Sequence, residues 1–161
     1  MKSISTILSS IRIRAATATD LPAIEDLLTS SDLPTAGVRE ALPGFLVAES
    51  DARIIGVVGL EHCGGYGLLR STAVAAEWRG RHVARQLVER IIAAAEAQGI
   101  RALYLLTTTA ERYFPTFGFE VTSRDGAPAE IKATGEFREA CPASATVMCL
   151  PLSRARVAAR E

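Results

Sequence analysis

The sequence predicts one α/β domain, a mixed sheet in a single layer with helices on both faces. Three observations carry that expectation. A chain of 161 residues is one domain's worth and can bury a core. Short apolar runs of strand length recur, separated by turns bearing Gly, Asp and Ser. Two longer stretches, after Thr19 and after Arg79, repeat their apolar residues with the helical period.

The elements follow in order. Ile11 to Arg14 alternates apolar and basic residues, as a half-exposed strand does. Thr19 or Asp20 caps a helix that Pro22 tolerates in its first turn, with Leu21, Ile24, Leu27 and Leu28 on one face. Leu33 to Ala41 holds a second short helix. Phe45 to Glu49 and Arg53 to Leu60 are antiparallel strands around the turn Ser50-Asp51-Ala52, the second continuing toward Cys63. A second turn, Gly64 to Gly67, leads into the strand Leu68 to Val74. Arg79 to Gly99 is a long helix with Val83, Leu87, Val88, Ile91, Ile92 and Ala95 on its apolar face and Gly99 as its stop. Ala102 to Thr107 is a buried strand, Ala110 to Phe117 a short helix, and Phe119 to Ser123 a strand. Asp125 to Ala140 reads as loop plus a helical turn, and Ser144 to Leu152 as the last strand. Residues 1–10 form a frayed leader, 11–152 one domain, and 153–161 a polar tail.

Composition narrows the function. Hydrophobic residues are 48% and charged residues 22%, a folded rather than disordered balance. Eighteen basic and eighteen acidic side chains cancel, which argues against a general nucleic-acid binder. The basic set is lopsided, 16 Arg to 2 Lys, and Arg is the better bidentate partner for phosphate and carboxylate. No apolar run approaches the roughly 20 residues of a membrane span, and the N-terminus lacks a secretory apolar core. Cys63, Cys141 and Cys149 are odd in number and show no C-x-x-C spacing, so neither a disulfide framework nor a metal site is expected. The expected setting is cytoplasmic, with no membrane or nucleic-acid partner.

The informative segment runs from Leu68 to Ala84. A strand passes through a Gly- and Arg-bearing loop into a long helix, whose first turn offers unpaired N–H groups and the positive end of the helix dipole. Arg79, Arg81 and Arg85 crowd that turn, as a phosphate site would want. A solvated basic helix start beside Glu77 is the competing reading.

Val74, Arg79-Gly80 and Ala84 with the following helix resemble the acyl-CoA-binding motif of the GNAT superfamily of N-acyltransferases, whose loop reads Q/R-x-x-G-x-G/A. His82 stands where that family usually has Gly. Ala110, Phe114 and Gly118-Phe119 resemble its second signature, A-x-x-x-Y-x-x-x-G-F, with Phe at the Tyr position. The resemblance spans roughly residues 11 to 122. It implies the GNAT fold, a central mixed, mostly antiparallel twisted sheet splayed at the acyl-CoA cleft. It also implies acetyl-CoA as acyl donor, without a metal.

By that resemblance, pantetheine pairs with Ala73, Val74 and Ala75, and the Val74 N–H polarises the thioester carbonyl. Diphosphate lies on Arg79, Gly80, Arg81, His82, Val83, Ala84 and Arg85, with Thr108 and Phe114 also on the cofactor. The usual acid position is Phe114, which has no proton to give. The adjacent Tyr113 is rotated by about 100° along a helix and reads as a core or substrate-wall residue. The usual base position falls near Leu68, also apolar. Glu61 on the preceding strand is the nearest titratable base, acting through water, with an ordinary outward carboxylate as the alternative; His62 reads equally as a surface turn residue.

Leu105-Leu-Thr-Thr-Thr109, with the aromatic pair before Gly118-Phe119, is similar to the acetyltransferase domain of bacterial N-acetylglutamate synthases. In that subgroup a hydroxyl at the Thr107 position is the thiol's proton donor; plain strand-end capping is the alternative here. Pro142 stands where the synthases place a substrate-binding Arg, leaving Arg70 and Arg138, with Ser71, as acceptor-binding candidates. The segments Leu33-Pro-Thr, Leu68 to Val74, Leu105 to Ala110 and Cys141-Pro-Ala-Ser-Ala145 most resemble the arsenic-resistance N-acetyltransferases, a label that does not itself show an arsenic substrate. The expectation is an acetyl-CoA-dependent N-acetyltransferase acting on a small amine, an α-amino acid or analogue. A glutamate acetylator, a protein N-acetyltransferase and a non-catalytic acyl-CoA sensor stand as alternatives, and a homodimer is one oligomeric option.

Overall fold

The computed structural model describes residues 11–140 and 144–152. The expected leader, the polar tail, Cys141 and Pro142 lie outside the described residues.

The strands are β1 (Arg12–Ala15), β2 (Phe45–Ser50), β3 (Arg53–Cys63), β4 (Tyr66–Val74), β5 (Ala102–Thr107), β6 (Glu120–Thr122) and β7 (Thr146–Pro151). The helices are α1 (Leu21–Ser30), α2 (Val38–Ala41), α3 (Val83–Ala97) and α4 (Ala129–Lys132), with a π turn at Glu136–Ala140. Together the strands form a seven-stranded sheet in the order β1-β2-β3-β4-β5-β7-β6. This mixed, mostly antiparallel α/β architecture is the one the sequence predicts. The parallel β4–β5 register pairs Gly67 with Leu103 and Leu68 with Tyr104, whereas β5 pairs with β7 along its whole length.

The chain divides into two compact units, Met1–Gly59 with Ser71–Val88, and Leu60–Arg70 with Glu89–Glu161. In the first, β1 pairs with β2 and β2 with β3. Asp51 and Ala52 both take positive φ, 50° and 63°, the backbone of a two-residue hairpin turn. Gly56 lets α3 approach β3 closely: a Cβ there would stand 3.0 Å from the Leu87 and Val83 side chains.

Asp20, one of the two expected caps, stands at the N-cap of α1 but makes no side-chain bond into that helix. A 3-10 turn at Ala18–Asp20 comes first, and Thr17 and Asp20 close a capping box around it. Asp20 also accepts from Arg14 at 2.8 and 3.0 Å, and Arg14 donates to Glu49 at 2.8 Å. The charged side chain of Asp20 is therefore buried with partners.

In the second unit, Cys63, Leu68, Ala127, Ile131, Phe137 and Val147 make a buried cluster, with Tyr66, Tyr104 and Leu106 against it. Phe114 and Phe119 pack edge to face at 5.7 Å. The expected helix Ala110 to Phe117 is shorter, a 3-10 turn at Phe114–Phe117 entered through a loop. Pro115 explains this: it has no N–H for a longer helical ladder. Among the described residues no helix is long and apolar enough to cross a membrane, and no three His, Cys, Asp or Glu side chains group as a metal site.

Candidate functional site

The first unit holds residues 73–75 and 79–85, expected to bind the acyl donor; Thr108 and Phe114, also expected on the cofactor, lie in the second. β4 ends at Val74, a 3-10 turn at Ala76–Trp78 follows, and α3 begins at Val83, four residues later than Arg79. The intervening loop is exposed and coils tightly. Gly80 and His82 both lie in the left-handed region, at φ 78° and 64°. For Gly80 this is free of strain; for His82 it costs roughly 1–2 kcal/mol. The geometry at position 82 is thus the one a glycine would supply, and the chain accepts it with a histidine.

The first helical bond of α3 runs from the Gln86 N–H to the His82 carbonyl, 3.1 Å. The N–H groups of Val83 and Ala84 precede it and have no acceptor within the helix. Arg79 and Arg81 flank them from fixed positions. Arg79 Nε donates to the Val74 carbonyl at 3.1 Å, and the Arg81 guanidinium lies 5.0 Å from the Trp78 ring centroid. Arg85 is exposed on the same first turn. Glu77, expected as a neutralising neighbour, is drawn off to Arg53 at 2.7 Å. Its own turn's N–H and Arg53 hold its carboxyl below the usual range.

Ala73, Val74 and Ala75 are buried at the end of β4. The Ala75 N–H donates to the Ile55 carbonyl at 2.8 Å, and the Ala75 carbonyl accepts from Trp78 at 2.8 Å. Both backbone groups of Ala75 therefore serve the fold, a commitment that spacing alone does not reveal. Ser71 is half-buried and takes φ 60° inside β4, a non-glycine residue in the left-handed region just before this segment.

The second unit holds Glu61, Arg70 and Arg138, whereas Ser71, also expected on the acceptor side, belongs to the first. Glu61 sits on β3, its side chain 27% exposed, and Arg70 on β4 is buried. Arg70 Nη1 donates to Glu61 Oε1 at 3.2 Å, and Nη2 lies 3.8 Å from Glu136 Oε2. Glu61 is thus neither an isolated surface carboxylate nor distant from charge. Arg70, expected as a substrate clamp, is already held by two carboxylates. Glu136 lies in a segment without a clear periodicity, so the sequence alone does not mark it. Arg138 is exposed and two residues further along the same turn.

Thr107 ends β5. Its Oγ1 accepts from the Ala110 N–H at 2.9 Å and from the Thr109 N–H at 3.3 Å. The capping reading therefore holds, and it has a chemical consequence. A hydroxyl with two accepted bonds has used both lone pairs and keeps its proton for donation. Thr108 beside it is exposed. Phe114 is buried, its ring in contact with Tyr113, Phe117 and Phe119, so it packs as core. Tyr113 is half-buried, 5.3 Å from Phe117, and His62 is exposed. Burial pushes the Cys63 thiol up to about 11, with Glu61 adding to the shift. Cys149 is also free.

Solved structures share this fold. N-acetylglutamate synthase from Neisseria gonorrhoeae, complexed with coenzyme A and N-acetyl-glutamate, superposes with TM-score 0.76 and 21% identity over 88% of this chain. The match spans about a third of that enzyme's length, 35%. Rv2747 from Mycobacterium tuberculosis, in complex with CoA, gives 0.74 and 21% identity over 88% of this chain and 99% of its own. The ribosomal-protein-S18-alanine N-acetyltransferase from Escherichia coli gives 0.67 and 19% over 88% and 94%. No curated protein sequence matches the chain. The acetyltransferase (GNAT) domain family matches residues 42–121, which include β2 to β5, the Arg79–Ala84 loop and all of α3. With the loop, the helix start and the sheet order in agreement, the chain belongs to the GNAT acetyltransferases.

Proposed function

We propose that the protein transfers the acetyl group of acetyl-CoA to the amine of a small molecule, an α-amino acid or a close analogue. The observation that supports this most is the loop before α3. Left-handed residues at 80 and 82 turn the chain so that the first N–H groups of a 15-residue helix follow directly on Arg79 and Arg81. Backbone donors, helix dipole and guanidinium groups together suit the diphosphate of a CoA thioester.

The neutral amine attacks the thioester carbonyl, whose developing oxyanion takes the Val74 N–H. The tetrahedral adduct collapses with loss of the CoA thiolate. Glu61 takes the amine proton through water, and Thr107 supplies a proton to the sulfur. Thr107 suits that role because both its lone pairs accept backbone N–H groups. Arg138 is the exposed cation left for an acceptor carboxylate, since Arg70 is engaged by Glu61 and Glu136.

A panel of amines with acetyl-CoA, read by release of free thiol, tests the proposal. The panel holds L-glutamate, its phosphinic and arsinic analogues, neutral amino acids, simple alkylamines and a peptide with a free N-terminus. Turnover with an α-amino acid or analogue is the expected result. Preference for the peptide would make the enzyme a protein acetyltransferase. Binding of acetyl-CoA without turnover of any amine would make it an acyl-CoA sensor.

A further inference from the structure

We propose that Glu136 is a positioning residue: it holds the guanidinium of Arg70 and, through it, sets where the Glu61 carboxylate stands. The inference rests on the reading of Glu61 as the base that takes the amine proton.

The argument begins with burial. The side chain of Arg70 is 2% exposed, so protein groups rather than water must balance its charge. Glu61 stands 3.2 Å from one terminal nitrogen and Glu136 3.8 Å from the other. The guanidinium is a rigid planar fork, so a pull on one terminal nitrogen fixes the direction of the second. Of the two carboxylates, Glu136 is buried at 7% exposure and Glu61 is reached by solvent at 27%. The arrangement has a fixed end and a working end.

Glu136 is itself pinned by its turn. Thr134 Oγ1 donates to the Ile131 carbonyl at 2.8 Å and accepts the Phe137 N–H at 3.3 Å. The Phe137 ring is buried in the cluster with Cys63, Leu68 and Ile131. Arg124 lies 4.8 Å from the centroid of that ring and donates to the Phe137 carbonyl at 3.4 Å. The backbone on both sides of Glu136 is therefore tied down. Glu136 also lies beyond residues 42–121, the stretch that the family matches. One guanidinium between two carboxylates leaves a formal charge of −1 on the three groups. Arg70 thereby orients Glu61 while also serving Glu136.

The test has two arms. In 15N NMR of the protein alone, the Arg70 terminal N–H signals are expected to be resolved in the wild type and averaged by rotation in Glu136→Gln. Signals still resolved in Glu136→Gln would overturn the proposal. In kinetics with acetyl-CoA and the best acceptor of the amine panel, Glu136→Gln is expected to lower kcat about tenfold, within the ~10²-fold a small misplacement can cost. The KM for acetyl-CoA should stay unchanged, and a Glu61→Gln background should show no further loss. An equal loss in both backgrounds would mark Glu136 as merely structural and overturn the proposal. Full kcat in Glu61→Gln alone would instead sink the base reading, and the NMR arm would then decide whether Glu136 holds Arg70. Arg70→Lys, which keeps the charge and loses the fork, is the second variant and should lower kcat similarly.

Discussion

Arg79 Nε donates to the carbonyl of Val74 at 3.1 Å. One hydrogen bond thus ties the first arginine of the loop to the strand residue whose N–H is proposed to polarise the thioester. The bond uses Nε and leaves the two terminal nitrogens of the fork for an anion.

Replacing Arg79 and Arg81 together by Ala should weaken acetyl-CoA binding. A hydrogen bond to a charged group is worth roughly 1.5–3 kcal/mol, so the double variant should lose at least tenfold in affinity. In a thermal-shift assay the wild type should gain melting temperature with acetyl-CoA and the double variant should gain little. An equal shift in both proteins would remove the arginines from the donor site.

His82 is strained, and relief of that strain should stabilise the fold. His82→Gly is expected to raise the unfolding free energy by about 1 kcal/mol, since glycine takes φ 64° without penalty. His82→Val should do the opposite, because a β-branched residue resists that region. Denaturant midpoints measure both; a drop for glycine would show that the imidazole contributes more than the backbone costs.

Thr107→Val should lower kcat while acetyl-CoA affinity changes little. It should also cost about 1 kcal/mol of stability through the lost cap at Ala110. Thr107→Ser keeps the hydroxyl and should retain most of the turnover. Equal kcat in the Val and Ser variants would confine Thr107 to capping.

Asp20 gives an acid-stability prediction. Its hydrogen bonds from Arg14 outweigh burial, which pushes the other way, and bring the carboxyl from 3.8 down to about 2. A depressed folded value means stability that is fully present above the unfolded value near 4 and lost as pH falls toward 2. The loss should be about 2 kcal/mol. Unfolding free energies measured from pH 5 to pH 2 should fall less steeply in Asp20→Asn than in the wild type. Parallel slopes would mean that the Arg14–Asp20 pair does not govern acid stability.

Much of the architecture was legible because it depends on local pattern. The apolar faces of α1 and α3, the two hairpins and the order of seven strands follow from period and turn chemistry. The errors are also local. The helix expected from Arg79 begins at Val83, because Gly80 and His82 leave the right-handed region. The helix expected from Ala110 shrinks to a turn around Pro115. Thr107 could be weighed as cap or acid from its strand-end position, but only the two bonds at its oxygen show that the roles are compatible.

By itself, the sequence determined the fold class, the Gly- and Arg-bearing loop before α3 that is proposed to take the diphosphate, and the place of Glu61 and Arg70 on neighbouring strands, since each depends on residues close in the chain. Only the tertiary structure decided what those side chains do there. It committed the Ala75 N–H to Ile55 and packed Phe114 into the core. It also brought Glu136, 66 positions after Arg70, against the same guanidinium. A buried charge takes whichever partner folding delivers, and no period or spacing in a single chain encodes a contact across that distance.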